Sequence, residues 1–374
     1  MIGQDLPSTF RRWVYARPMI DGRLGLEQFA LREAPMPDVE PGQALARVLL
    51  VNIHAATRVR IASGAAPLGE TDPHNYACAQ IVRSRDPAFR EGDIIACQAG
   101  WQDYQIVSSA DASIGYGPAS PLVRALNRTN SQWTYVFRPV MTEMWPPEVL
   151  MDVFGTSGMT AYFGLRECGP LLPKDRVLIA GATGSVGSIA VQLARKAGCH
   201  VVALAGGESG RRWVRKTLGA ETCLDYRASD LDAQLRAAFP GGIDLFCDGV
   251  GGALTARIAA LMNPDGRLFA YGAAAGQYAE DAASPATRPR SLREAFVPAE
   301  AEPILTAENI KVEAWIVHDF YHERIVAEDD LSRLLLSGAL KATNHTVEGF
   351  ENLPEAVVGL YRDRRPGKLQ VRFG

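Results

Sequence analysis

Short apolar runs separated by proline and glycine fill the first third of the chain. Strand-length runs such as QALARVLLVNI, CAQIVRSRD and GDIIACQAG lie between about residues 12 and 115. Runs of this length and spacing are typical of a sandwich or a partly open β-barrel. Residues 120–147 then lose any regular period and end in a Pro-Pro pair, so the pattern predicts a long surface excursion there.

After Pro147 the pattern changes, and strand-like runs alternate with runs of helical spacing. The predicted strands cover 176–180, 200–205, 222–226, 243–247 and 267–272, and the helices between them reach Lys196, Leu218, Phe239 and Met262. Repeated alternation of this kind predicts a parallel sheet with helices on both faces. The polar stretch 279–302 predicts a loop, KVEAWIV predicts one further strand, and the tail from about Arg324 returns to mixed helices and short strands.

The segment IAGATGSVGSIAVQLARKAGC, residues 179–199, contains the most informative loop. Its glycines follow the buried run RVLIAG and precede apolar residues at helical spacing, and Gly198 stands where that helix would end. This context distinguishes a dinucleotide-binding motif from an ordinary turn. Gly184 lets the backbone approach a pyrophosphate, and Gly187 lets the helix pack against the strand. The N–H groups at the start of the helix then meet the negative charge.

The end of the next strand decides which dinucleotide is expected. NAD sites usually place an acidic residue there to hold the ribose hydroxyls, whereas this chain reads ALAGGESGRRWVRK. Small residues up to Gly207 come first, followed by Arg211, Arg212 and Arg215, and such cations suit a 2′-phosphate. The pattern therefore favours NADP. Glu208 leaves two alternatives open, because it could serve NAD or simply favour the start of the helix.

Composition narrows the class of protein. The chain of 374 residues has a formal net charge of −3, which gives no electrostatic reason to expect a nucleic acid or an acidic membrane as partner. No apolar run approaches the roughly 20 residues of a membrane span, and the first residues lack the apolar segment of a signal peptide. We therefore expect a soluble, cytoplasmic protein large enough for two domains.

The cysteines and histidines predict no metal site. The six cysteines are too far apart in the sequence for a four-cysteine zinc lobe, and the six histidines form no H-E-x-x-H motif. Buried free thiols are the expectation for the cysteines. Neither a G-x-S-x-G elbow nor a Walker lysine is present, so the chemistry is expected to come from the dinucleotide and a few polar groups.

Several segments recur in order along most of the chain and are characteristic of one family. They are FGTSGMTAYFGL, GATGSVGSIAVQLARKAGC, LGAETCLDYR, IDLFCDGVGG, VEGFENLPEA and PGKLQVRF. In these the chain resembles the zinc-independent medium-chain dehydrogenase/reductases, in their NADPH-dependent alkenal and prostaglandin reductase branch. The resemblance implies an α/β fold with a GroES-like β-barrel substrate domain and a Rossmann domain built on a doubly wound parallel sheet. It places the substrate domain at 1–148, completed by 325–374, and the NADP-binding domain at 149–324. It also makes a homodimer plausible.

The reaction implied by this resemblance is hydride transfer from NADPH to the β-carbon of an α,β-unsaturated ketone or aldehyde. The resulting enolate is then protonated at the α-carbon, and hydrogen-bond donors rather than zinc stabilise its oxygen. Two alternatives stay open. One is a quinone oxidoreductase of the same superfamily, and the other is a non-catalytic NADPH-binding protein.

The resemblance also assigns cofactor-binding residues. Arg211 stands where the family has a lysine for the 2′-phosphate, and Tyr226 matches a tyrosine that reaches the same phosphate. Thr160 matches a segment near the nicotinamide, although packing at the domain junction is an equal alternative for it. The full predicted set is Thr160, Gly184, Ser185, Val186, Gly187, Gly207, Arg211, Tyr226, Val250 and Gly272.

For catalysis, the family's tyrosine after the RLFAYG strand predicts Tyr278 as the donor to the enolate, and Tyr271 is expected to be packed. The family's DPYMR segment reads HAATR here, which makes His54 and Arg58 candidate residues of the substrate site. Gly249 replaces an asparagine at the cofactor cleft, and Arg365 replaces a nicotinamide-side asparagine. These departures, together with an excursion at 120–145 that could cover the pocket, leave the substrate open.

Overall fold

Two large β-sheets organise the protein. A computed structural model describes residues 6–19, 24–62, 65–110, 134–275, 291–360, 362 and 365–374. The strands in this part of the chain are β1 Thr9–Tyr15, β2 Phe29–Pro35, β3 Ala44–Asn52, β4 Asn75–Ser84, β5 Ile94–Ala99, β6 Tyr104–Val107, β7 Tyr135–Val136, β8 Arg176–Ala180, β9 His200–Ala205, β10 Thr222–Asp225, β11 Ile243–Asp248, β12 Met262–Ala270, β13 Lys311–Glu313, β14 Asn344–Glu348 and β15 Lys368–Arg372.

Helices connect these strands and cover the sheets. Within the described residues they are α1 Ala55–Ala62, α2 Pro139–Met144, α3 Pro147–Asp152, α4 Thr156–Glu167, α5 Ser185–Lys196, α6 Gly207–Trp213, α7 Leu231–Ala238, α8 Ala253–Ala259, α9 Leu292–Phe296, α10 Glu302–Ala307, α11 Arg324–Leu336 and α12 Leu353–Gly359. Short 3₁₀ turns cover Leu26–Gln28, Val317–Glu323 and Phe350–Asn352, and a π-helical turn covers Val214–Leu218.

One of the two large sheets is parallel and contains β8 to β13. Its strand order is β10-β9-β8-β11-β12-β13, and each pair in it is parallel. The residues Val177 to Ala180 of β8 are completely buried, as expected for a central strand with helices on both faces. The predicted Rossmann-type parallel sheet is therefore confirmed, and the strands predicted at 176–180 and 200–205 have the observed bounds.

The other large sheet is mostly antiparallel and contains strands from both the N-terminal and the C-terminal parts of the chain. Its order is β14-β15-β3-β4-β5-β7, and β6 also pairs with β3. The tail strand β15 runs antiparallel to β3, with Gln370 opposite Asn52, and β14 lies parallel to β15. The predicted fold class, an antiparallel domain joined to a Rossmann domain, is confirmed. The domain limits at 148 and 325 stay predictions.

Four local predictions were wrong. Met262 begins β12 instead of ending a helix, because it pairs with Ile243 in the sheet and is buried there. The described part of 279–302 is not all loop, since α9 begins after Ser291, whose side chain accepts a hydrogen bond from Glu294 N. The strand predicted at KVEAWIV is only Lys311–Glu313 long. The irregular stretch 120–147 contains β7 and α2 in its described part. Strand pairing outweighed the local pattern at Met262, and capping did so after Ser291.

The six cysteines are free thiols, and five of them are buried. The expectation of buried free thiols is confirmed for those five, and Cys199 is half-buried. Burial raises the pKa of the Cys97 thiol to about 12, so this group is an inert part of the core. Among the described helices, none is both long and apolar enough to cross a membrane.

Candidate active site

The order of the parallel strands creates a crevice between β8 and β11. The strands β9 and β10 lie to one side of it, and β12 and β13 lie to the other. Loops that leave neighbouring strands in opposite directions open a gap at the carboxyl ends, and ligands of open α/β sheets bind there. The loops at this edge begin at Gly181, Gly206, Tyr226, Gly249 and Tyr271.

The loop after β8 leaves the start of α5 open. Gly184 is the N-cap residue of α5, and no side chain of the described residues caps the helix. A Cβ at Gly187 would lie 2.3 Å from the carbonyl oxygen of Gly181, so only glycine allows this close approach. The N–H groups of the first turn, which includes Ser185 and Val186, have no partner within the helix and suit an anion. The structure brings these predicted residues together, and their contact with a cofactor stays a prediction.

The loop after β9 holds two arginines around one carboxylate. Arg211 donates to Glu208 at 2.8 Å, and Arg215 donates to the other oxygen of the same carboxylate at 3.0 Å. The Glu208 side chain is 61 % exposed, so a more highly charged anion could displace it. Gly207 has a φ of 71°, and among the described residues no atom lies within 4 Å of the position of a Cβ on it.

Tyr226 lies against the other side of this loop. A Cβ at Gly206 would lie 2.9 Å from Cε1 of Tyr226, so the ring rests directly on the loop backbone. Arg227 donates to the Tyr226 hydroxyl at 2.8 Å, and its guanidinium carbon lies 4.9 Å from the ring centroid. The sequence analysis missed Arg227, although its position directly after Tyr226 was a usable signal.

Asp248 fixes the loop after β11. This buried carboxylate accepts hydrogen bonds from Val250 N at 2.8 Å, Gly251 N at 3.0 Å and Thr255 Oγ1 at 2.5 Å. Burial raises the pKa of Asp248, and the three hydrogen bonds oppose that effect. Val250, a predicted cofactor contact, is thereby held beside the glycine loop, with its Cγ2 3.8 Å from the position of a Cβ at Gly181.

Tyr271 fills the space next to this loop. Its hydroxyl donates to Ala180 O at 2.9 Å, at the last residue of β8. A Cβ at Gly249 would lie 2.5 Å from its Cε2, so the ring occupies the space that a larger residue at 249 would need. A Cβ at the predicted contact Gly272 would lie 3.0 Å from Gly249 O. Tyr271 is packed as expected, and it also supports the base of the glycine loop.

His54 follows β3 in the antiparallel sheet. The ring is half-buried, and its Nδ1 lies 3.3 Å from Lys368 Nζ. Its Nε2 is buried and has no hydrogen-bond partner within the described part of the chain. Burial, and then the charges of Lys368 and Arg60, lower the pKa of His54 well below its ordinary value, so the imidazole is neutral at pH 7.

Lys368 and Asp152 are buried ionisable residues that the sequence analysis missed. They are 4 % and 0 % exposed, respectively. Burial lowers the pKa of Lys368 to about 8, with Asp152 opposing the change, and burial raises the pKa of Asp152 to about 6. Lys368 Nζ also donates to Ile53 O at 3.3 Å, and Asp152 accepts Thr343 N at 2.9 Å. The intact PGK sequence was the only signal for Lys368.

The tail connects these buried groups to the glycine loop. Gly367 N donates to Thr183 O at 2.8 Å, one residue before Lys368. The hydroxyls of Thr343 and Ser188 lie 2.9 Å apart, and Ser188 belongs to the first turns of α5. His54, which follows β3, and Lys368, which begins β15, therefore lie at the same cleft as the start of α5.

The other predicted residues have less distinct positions. Arg58 donates to Val358 O in α12 at 3.4 Å, and Thr160 is half-buried in α4, which packs against α5. Arg365 Nη1 lies 2.5 Å from His345 Nε2. Tyr278 lies outside the described residues, as does most of the 120–145 excursion. Within the described ranges, no three His, Cys, Asp or Glu residues are grouped as a metal would require.

Fold and cleft together define a Rossmann-type protein joined to an antiparallel domain, with loops shaped for an anionic ligand between them. Two family models match the chain, "N-terminal domain of oxidoreductase" at residues 11–114 and "Zinc-binding dehydrogenase" at residues 185–308. The chain belongs to the medium-chain dehydrogenase/reductase superfamily, in its alkenal and prostaglandin reductase branch.

Individual relatives match over nearly the whole chain. The NADPH-dependent curcumin reductase of Escherichia coli is 27 % identical over 375 residues, which cover 97 % of this chain and 96 % of the relative. Prostaglandin reductase 1 of Bos taurus is 26 % identical over 349 residues, covering 92 % and 93 %. The crystal structure of CurA from Vibrio vulnificus in complex with NADPH is 26 % identical, has a TM-score of 0.76, and covers 97 % of this chain and 99 % of that one.

Proposed function

We propose that this protein is an NADPH-dependent reductase that reduces the carbon–carbon double bond of an α,β-unsaturated ketone or aldehyde. One observation carries the proposal. The open start of α5 and the buried Lys368–His54 pair lie at the same cleft, joined by the hydrogen bond from Gly367 to Thr183. An anion-binding helix end beside polar groups is what hydride transfer to a polarised carbonyl compound requires. The similarity to curcumin reductase and prostaglandin reductase 1 supports the same reaction.

The residues of the crevice fit NADPH. The uncapped N-terminus of α5 suits the pyrophosphate, with Gly184, Ser185, Val186 and Gly187 as its contacts. No described atom lies within 4 Å of the position of a Cβ on Gly207, and this space, near cationic and aromatic side chains, suits the 2′-phosphate. We assign Arg211 and Tyr226 to it, with Arg227 added. We assign Val250, Gly272 and Thr160 to the nicotinamide side. Bound NADPH would supply a hydride to the β-carbon of the substrate.

The opposite side of the cleft would polarise the substrate. We assign His54 as a donor to the carbonyl oxygen, because its ring is neutral and its Nε2 has no partner among the described residues. Arg58 supports the segment on which His54 lies, through its contact with α12. Tyr278 stays a proposed second donor. The buried surroundings exclude water and so strengthen these hydrogen bonds.

We also propose the domain limits 1–148 with 325–374, and 149–324, since β14 and β15 pair with β3 while β8 to β13 form a separate sheet. A homodimer is proposed because the three-residue strand β13 ends the parallel sheet among the described strands, and such an edge can pair with a second copy. A cytoplasmic location is proposed because all six cysteines are free thiols, as in a reducing compartment.

Turnover of a small substrate panel tests the proposed function. Purified protein is mixed with NADPH and, separately, a medium-chain enal, a cyclic enone, an aryl enone or a quinone, and the NADPH absorbance is followed. The same panel is repeated with NADH. We expect saturable oxidation of NADPH with an enal or enone, a saturated product, and little activity with NADH. Turnover of the quinone alone would favour the quinone reductase alternative, and NADPH binding without turnover would indicate a non-catalytic protein.

A further inference from the structure

Three chain segments far apart in the sequence bury ionisable side chains together at the cleft. His54 follows β3, Asp152 ends α3, and Lys368 begins β15. Lys368 is 4 % exposed and Asp152 is fully buried. Burying an ammonium and a carboxylate is costly even when they attract each other. A cluster of this kind at a functional cleft therefore points to a function that requires the charges.

The hydrogen-bond geometry determines the protonation of His54. An ammonium group can only donate hydrogen bonds, so Lys368 Nζ donates to His54 Nδ1, at 3.3 Å. Because Nδ1 accepts and the ring is neutral, the single imidazole proton is on Nε2. This Nε2 is a buried ring nitrogen that has no partner in the described part of the chain, so its N–H has no acceptor there.

The backbone around the pair is held by a buried amide network. Gln370, two residues after Lys368, donates to Asn52 Oδ1 at 3.1 Å and to Glu148 O at 3.0 Å. Asn52 in turn donates to Met151 O at 3.0 Å. Both amide side chains are fully buried. The network joins β15 to β3 and α3, so it fixes the distance between the ammonium and the imidazole.

We propose that Lys368 is a positioning residue for the reduction. Its ammonium holds His54 as a neutral imidazole protonated on Nε2, and this N–H donates to the carbonyl oxygen of the enone as negative charge develops there. The inference rests on the proposed function. The positive charge behind the ring strengthens the donor electrostatically, and the donor is oriented before the reaction, so little reorganisation is needed. The proton stays on Nε2, and no bond forms or breaks at His54.

Charged groups around the pair influence the pKa values of both His54 and Lys368. The charge of Asp152 opposes the lowering of the Lys368 pKa by burial, and the Asp152 carboxylate accepts a hydrogen bond from Thr343 N. Burial lowers the pKa of His54, and the charges of Lys368 and Arg60 lower it further. Arg60 is itself paired with Asp72 at 2.6 Å. With its pKa lowered to about 8 by burial, Lys368 keeps its charge at pH 7 and loses it at higher pH. The turnover rate should therefore fall as the pH rises above about 8.

A double-mutant cycle tests whether Lys368 acts through His54. We expect Lys368→Met to lower kcat by about 10- to 100-fold, as for loss of an oriented donor to an oxyanion, with the Kd for NADPH unchanged. Lys368→Arg should restore part of kcat. Because the two residues act as one unit, Lys368→Met combined with His54→Gln should be no slower than His54→Gln alone. If the double variant instead loses kcat by the product of the two single-variant factors, the two residues act independently and the proposal is overturned. The exposed Lys341→Met serves as the matched control.

A second measurement needs neither substitution nor turnover. In wild-type protein labelled with ¹⁵N-histidine, the nitrogen shifts of His54 report which ring nitrogen carries the proton. We expect a neutral ring protonated on Nε2 at pH 7. An imidazolium, or a proton on Nδ1, would overturn the inference. Absence of enone turnover with the expected shifts would instead reject the proposed function.

Discussion

The two sides of the cleft are built in different ways. The side proposed for NADPH consists mainly of backbone, because glycines at 181, 184 and 187 shape one loop and leave the start of α5 open. The facing side consists of buried side chains, the pair of His54 and Lys368 with Asp152 close to Lys368. The glycine loop comes from one continuous stretch, whereas the contact between His54 and Lys368 joins residues 314 positions apart.

This difference shows that only one side of the cleft has functional groups that lower the stability of the fold. A glycine loop binds an anion with N–H groups that any helix start possesses, so it adds no buried charge. The facing side keeps an ammonium and a carboxylate out of water, which disfavours folding. We therefore expect substitutions on the two sides to have opposite effects on stability.

The largest expected effect comes from closing the glycine loop. In Gly187→Val the new Cβ would lie 2.3 Å from Gly181 O, so α5 must move away from the loop. We expect a loss of about 3 kcal/mol in the free energy of unfolding, at the upper end for overpacking, together with loss of NADPH binding. Urea denaturation and NADPH titration measure both. Gly210→Ala is the control, since a Cβ there would lie 3.3 Å from the Thr183 methyl and 4.0 Å from Ala205 Cβ, with no backbone atom among these neighbours. Normal NADPH affinity in Gly187→Val would contradict the proposed loop.

Removing the buried ammonium should instead stabilise the protein. The pKa of Lys368 falls from 10.5 to about 8 on folding, so protonation disfavours the folded state, by about 3 kcal/mol at and below pH 8. Between pH 8 and pH 10.5 the folded protein has lost the proton while the unfolded chain keeps it, so the stability of wild type rises.

The measurement is the free energy of unfolding of wild type and Lys368→Met, by urea denaturation, at pH 7.5 and pH 10. We expect Lys368→Met to be the more stable protein at pH 7.5 and the difference to shrink at pH 10. A difference that is independent of pH would mean that Lys368 is not a buried cation.

Selectivity for the 2′-phosphate should depend on Arg211. Arg211→Ala removes one charge-assisted hydrogen bond to the phosphate, which corresponds to about a 10- to 100-fold weaker NADPH affinity. NADH affinity should change less than about two-fold, because NADH lacks that phosphate. Titration with both cofactors gives the comparison, and Arg236→Ala, on a different helix, is the control. Equal weakening of the two cofactors would reject the assignment.

The smallest expected effect comes from Glu208. Its carboxylate holds both Arg211 and Arg215, and it must release them before they can bind a phosphate. An exposed ion pair contributes at most about 1 kcal/mol, so Glu208→Gln should tighten NADPH binding by about two- to five-fold at low salt. The gain should disappear at high salt. Weaker NADPH binding would instead favour a role for Glu208 in holding the ribose.

Local patterns predicted the cofactor side well. The bounds of β8 and β9 and the end of α5 at Lys196 follow from contiguous apolar periods. Met262 was assigned wrongly because a short apolar run does not distinguish a helix from a buried strand. Its pairing with Ile243 decides the matter, and that pairing is not visible in the local sequence.

The substrate side could be predicted only in part. His54 was identified because it departs from a family pattern, and nothing near it in sequence indicates Lys368 as its partner. Their contact joins residues 314 positions apart, so it depends on the pairing of β15 with β3. In the sequence Asp152 is an ordinary residue at the end of a helix. Only the structure shows that it is fully buried and accepts a hydrogen bond from Thr343 N.

The most direct test of the central claim is the position of the transferred hydrogen. The protein is supplied with NADPH that carries deuterium at the transferring position and with a simple enone, and the product is analysed by NMR. The account predicts a saturated ketone with deuterium at the β-carbon and a solvent-derived proton at the α-carbon. Deuterium at the carbonyl carbon, in an unsaturated alcohol, would contradict it.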